Sequence, residues 1–158
     1  MKASLTVIVS ILFLSSLAHG SGEKTKSNGF DHAEYLQGTS SGQRKAAPGV
    51  KGSLHFNSDQ RAVEFLNAKG ASVVRINYDS IKSILYEQTS TPRYAEAVLI
   101  SPLFLFSNSK KHFLTMQYTD DSGAAQYAIF HLDKSNAREA IAAAEAQTGK
   151  KVDQVQEK

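Results

Sequence analysis

The chain has 158 residues, carries 18 Lys and Arg against 15 Asp and Glu, and contains no cysteine. A formal net charge of +3 is too small for a nucleic-acid reading, which needs a dense basic face against phosphates. The absence of cysteine excludes disulfides, thiolate metal sites and a cysteine nucleophile, so stability must come from apolar packing.

The apolar run Leu5 to Leu14 follows Lys2 and leads into the small-residue exit Ser15-Ser16-Leu17-Ala18-His19-Gly20. This run falls short of the roughly 20 residues that span a bilayer, and its flanks are those of a secretory signal peptide, residues 1–20. Its removal leaves 138 of the 158 residues, with 17 basic against 15 acidic side chains, enough for one domain and a tail. Retention of the segment would instead tether the domain to a membrane.

Residues 21–51 are rich in Gly, Ser, Lys, Thr and Gln, with Phe30, Tyr35, Leu36 and Val50 as the sizeable apolar groups. That composition predicts a flexible polar lead-in, with a short turn of helix over Asp31 to Leu36. From Gly52 onward the period becomes that of strands separated by turn residues, which favours an antiparallel sheet. Leu54 and Phe56 share one face, and Val63 with Phe65 and Val74 with Ile76 form the arms of a hairpin turning at Gly70. Ile84 and Tyr86 alternate against Lys82, and Tyr94 to Ile100 and Leu103 to Phe106 read as further apolar strands broken at Pro102. Ser107 to His112 connects to a strand Phe113 to Tyr118, and Asp120-Asp121-Ser122-Gly123 turns the chain into Gln126 to Leu132.

The period then changes. Ser135 to Gln147 is rich in strong helix formers, with Asn136 and Glu139 spaced as a capping box. Gly149 ends the helix, followed by Lys150 and Lys151 where the dipole favours positive charge. Ala137, Ala140, Ile141, Ala144 and Thr148 lie along one side, so the helix is expected to dock on the sheet and cap its open end. Val152 continues that contact before a polar tail, 153–158.

About seven strands followed by one terminal helix is the element order of pleckstrin-homology-like barrels. The segments Ser101 to Ser107, Lys110 to Thr115, Tyr118-Thr119-Asp120, Gly123 and Thr148-Gly149-Lys150 resemble those of exported bacterial proteins of unknown function with such a domain. The resemblance covers roughly Gly52 to Val152 and implies a mainly β fold: an antiparallel PH-like barrel capped by the helix, over residues 52–152. It implies an adaptor for lipid or peptide, although a fold does not transfer a function. Arg61, Lys69 and Arg75 stand apart rather than clustered, which departs from the headgroup-binding members.

No residue set announces catalysis. His32, His55, His112 and His131 show no metal-ligand spacing, and His55 and His131 alternate with core positions and so face outward. No Gly-x-Ser-x-Gly elbow presents a serine, the Asp120 to Gly123 turn lacks calcium-loop spacing, and Gly149-Lys150-Lys151 follows a helix rather than preceding one, unlike a phosphate loop. The expectation is therefore a chain without metal or cofactor. The most suggestive surface is Lys110, Lys111 and His112 beside Leu103 to Phe106, suited to an anionic membrane or envelope protein. Two lysines supply on the order of 2 kcal/mol there, too little to anchor without apolar insertion, and the competing reading makes 103–106 a core strand. The sequence thus predicts a secreted or periplasmic, non-enzymatic binding module for a protein segment or an anionic envelope surface. The alternative is a small hydrolase, which a pocket holding His112 or His131 against a carboxylate would favour.

Overall fold

The computed structural model describes residues 27–36, 49–95 and 109–156. The expected signal segment and the apolar stretch 96–106 lie outside these residues. The described chain forms β1 (Ser27–Leu36), β2 (Val50–Asn57), β3 (Ala62–Asn67), β4 (Ser72–Asn77), β5 (Ile81–Thr89), β6 (Lys111–Thr119), β7 (Ala125–Leu132) and β8 (Val152–Gln156). One α-helix, α1 (Ala137–Thr148), separates β7 from β8, and a 3-10 turn at Tyr78–Ser80 joins β4 to β5.

The strands make one sheet in the order β4-β3-β2-β1-β7-β6-β5-β8. The mainly β fold with a single carboxyl-terminal helix is as expected, but the sheet is open, with β4 and β8 as its two edges, rather than a closed barrel. It is also not wholly antiparallel, because β8 pairs parallel to β5, Ile84 opposite Val152. Two halves of the sheet meet through three register pairs, Glu34 with His131, Tyr35 with Phe130 and Leu36 with Ile129. Between the halves lies the main core, where Phe65 stacks on Phe130 at 5.9 Å and Phe30 meets Phe56 edge-on at 6.0 Å. Ala137, Ala140 and Ala144 of α1 are buried in that core, with Ile141 half-buried beside it.

Three local expectations are corrected. The segment read as a lead-in with a helical turn supplies β1, a central strand. Phe30 and Tyr35 are five residues apart, so in a regular strand they would point to opposite faces. A bulge at Asp31 and His32 shifts the register between Phe30 opposite Leu54 and Ala33 opposite Gly52, and the extra residue brings Phe30, Ala33 and Tyr35 into the same core. The predicted polar tail supplies β8, in which Val152 is buried while Asp153 and Gln154 are exposed, so its pairing rests on backbone hydrogen bonds that no apolar period reveals. Finally, Asn136 makes no side-chain cap; its Nδ2 donates to the Asp31 carbonyl at 2.6 Å and so ties the helix start to the bulge. Gly149 does end the helix, at φ 68° with its N–H on the Glu145 carbonyl.

The outer face of the sheet carries a second, smaller apolar cluster of Leu36, Ala95, Phe113 and Ile129. Tyr94 stacks on Tyr127 at 4.6 Å, and the buried Glu87 carboxylate accepts the Arg93 N–H at 3.0 Å. These contacts fold residues 93–95 onto the strands as a turn, and the rest of the strand expected from Tyr94 lies outside the described residues.

Candidate functional site

Beside that cluster the outer face opens into a cleft of about 760 Å³ lined by the β1 bulge, the start of β2, the end of β3 and the β3–β4 turn. Leu66 and Ala68 give it apolar surface, while Glu34 and Lys51 charge it and His131 adds an imidazole. Register explains the polar row: His131 on β7 lies opposite Glu34 on β1, and Glu34 lies opposite Lys51 on β2. Opposed residues share a face, so the three side chains line up across three strands.

Glu34 is placed by what surrounds it. A Cβ at Gly49 would collide with its carboxylate, so the glycine leaves the room in which Glu34 lies. Gly52 plays the same part for the backbone: a Cβ there would run into the Leu66 carbonyl, and β2 and β3 approach closely at the cleft because it has none.

The nearest Glu34 oxygen is 3.7 Å from His131 Nδ1, beyond hydrogen-bonding distance. Burial pushes the His131 pKa down; Glu34 opposes that shift, and Lys111 and His112 reinforce it. The imidazole is therefore neutral at neutral pH, leaving Lys51, Glu34 and Asp31 as the fixed charges of the cleft.

Of the residues singled out from the sequence, Lys110 is exposed, and Lys111 and His112 are half-buried at the start of β6. His112 faces Tyr86, with its Nδ1 2.6 Å from the phenolic oxygen and the rings stacked at 6.0 Å. Burial lowers its pKa, and Lys134 lowers it further against the pull of Asp133. Lys111 lies near enough to His131 to lower its pKa but does not line the cleft, whereas His112 is engaged with β5. The flanking apolar residues 103–106 lie outside the described residues. Glu34, Lys51 and Ser53 escaped the sequence reading because the first two sit in the segment read as a lead-in, and the bulge hides their period. His55 and His131 do occupy the outer face, as alternation requires.

Among the described residues no three His, Asp or Glu side chains are grouped to hold a metal ion, and no helix is long and apolar enough to cross a membrane. No family model matches the chain, and no curated protein matches it. Among solved structures, it is similar to a chain of the Spt16D Pob3N heterodimer, at 5% identity and a TM-score of 0.46, over 84% of this chain. The match spans 56% of that chain's length.

Proposed function

We propose that the mature protein is an exported, pleckstrin-homology-like binding module that holds a protein segment across the outer face of its sheet and does not turn it over. The observation that carries this reading is the open cleft, with apolar surface at Leu66 and Ala68 beside the polar row of Lys51, Glu34 and His131. Apolar surface with a few placed polar groups suits an extended segment whose side chains alternate between packing and pairing. Lys110 and Lys111 at the start of β6 favour acidic residues in the part of the segment that leaves the cleft.

A hydrolase reading draws on the same His131 and Glu34, a base beside a carboxylate. Binding is preferred because Glu34 stands 3.7 Å from the imidazole, an ion-pair separation rather than the short contact of an orienting carboxylate.

The test is affinity capture by the mature domain from its own envelope fraction, repeated with Lys110→Glu combined with Lys111→Glu. Capture of a protein that weakens in the double variant, and in raised salt, supports the proposal. Retention of anionic vesicles with no protein captured would replace it by a membrane-surface reading. Hydrolysis of generic ester, peptide or glycoside substrates in repeated turnovers, lost in His131→Gln, would replace it by the enzyme reading.

A further inference from the structure

On the outer face of β2, the Ser53 hydroxyl oxygen lies 2.7 Å from Nε2 of His55. Residues two apart on a strand share a face, but contact this short needs the ring to be held. Gly29, the register partner of His55 on β1, leaves the room for it to lie there: a Cβ at Gly29 would stand 2.7 Å from Cε1 and 2.8 Å from Nδ1 of the imidazole. Any side chain at position 29 would displace the ring. Ser53 also lines the cleft.

The backbone across from Ser53 is unusual. Asp31 and His32 together occupy the register interval that Ser53 fills alone on β2, and His32 has φ 57°. A left-handed conformation is disfavoured for a residue with a Cβ, and such strain gathers at functional sites. A hydroxyl on a seated imidazole, facing a cleft whose opposite wall is strained, has the arrangement of a nucleophile with its base.

We propose that Ser53 is a nucleophilic hydroxyl, activated by His55, that captures the acyl group of an activated ester entering the cleft. The inference goes beyond segment binding, which needs no covalent step. Ser53 Oγ forms a bond to the acyl carbon as the bond from that carbon to the leaving oxygen breaks. The hydroxyl proton passes to His55 Nε2 and then to the departing alkoxide, so the products are acyl-Ser53 and an alcohol, with no change of oxidation state. Gly29 is a positioning residue in this step.

The experiment treats the full chain with p-nitrophenyl acetate, follows nitrophenol release and locates the acetyl group by peptide mass mapping. The expected result is release of about one equivalent in a burst, with acetyl on Ser53 and none on Ser58, whose hydroxyl donates to Gln147 rather than to an imidazole. His55→Gln should slow the burst about 100-fold, within the range for loss of a general base, and Gly29→Ala should slow it as well. Ser53→Cys should restore capture as a thioester where Ser53→Ala abolishes it, with circular dichroism showing each variant folded. Acetylation spread over lysines, or a burst unchanged in folded His55→Gln, would overturn the proposal. So would a folded Ser53→Cys protein without an adduct at position 53.

Discussion

Glu34 on β1 faces His131 on β7 across the seam that joins the two halves of the sheet, 3.7 Å from oxygen to nitrogen. The pair thus belongs both to the cleft and to the seam of the sheet.

Burial lowers the pKa of His131 and of His112. A histidine whose folded value lies below its unfolded value of about 6.5 contributes stability that is intact above that pH and lost as pH falls through the folded value. Thermal melts should therefore show a falling midpoint as the buffer is acidified below about pH 6.5. His131→Gln should make that decline shallower. An acid limb unchanged in His131→Gln would show that the seam histidine does not set it.

At the alkaline end the controlling group in the core is Tyr35, packed against Phe65 and Phe130 at 5.8 and 5.5 Å. Burial, with a smaller push from Tyr118, raises its pKa to about 12. The unfolded phenol ionises near 10, so stability is intact below that pH and is lost as pH rises toward the folded value. Up to about 3 kcal/mol is at stake, since each tenfold difference in proton affinity between the folded and unfolded phenol is worth roughly 1.4 kcal/mol. Tyr35→Phe should flatten this alkaline loss without unfolding the protein at neutral pH, as measured by urea titration.

The helix face can be ranked by burial. Ala140 and Ala144 are fully buried, whereas Ile141 is half-buried. Ala140→Asp should cost about 3 kcal/mol or more by placing an unpaired charge in the core. Ile141→Asp should cost about 1 to 2 kcal/mol, because its carboxylate can turn toward water. Equal losses in denaturant titration would mean that α1 docks by a different face.

The close approach at Gly52 makes a sharper test of the cleft wall. Gly52→Ala should destabilise by about 2 kcal/mol or more, since its methyl group meets the Leu66 carbonyl and the β3 backbone rather than a movable side chain. Amide exchange should report the loss first in β2 and β3. A Gly52→Ala protein as stable as the parent would contradict this strand spacing.

Where the apolar alternation is unbroken, as in β2, β3 and β7, the sequence shows the strands and their buried faces, and the Gly70 and Gly123 turns fall where expected, each with positive φ. Elements governed by something other than alternation were hidden. A bulge between Phe30 and Ala33 breaks the period of β1, and β8 is held by a parallel ladder to β5, with Val152 buried and Asp153, Gln154 and Val155 exposed. The site was obscured for the same reason: Glu34 and Lys51 lie beside the bulge. A pairing such as Ser53 with His55 depends on the absent side chain of Gly29 on another strand, a three-dimensional condition with no local signature.

The central claim is that the outer-face cleft takes a protein segment. A photo-crosslinking residue placed at Leu66, inside the cleft, and in a second protein at Glu139, on α1 away from it, tests this in the native envelope. The account predicts a cross-linked protein adduct from position 66, weakened by Lys51→Glu, and none from position 139. Adducts from position 139 with none from position 66 would contradict it.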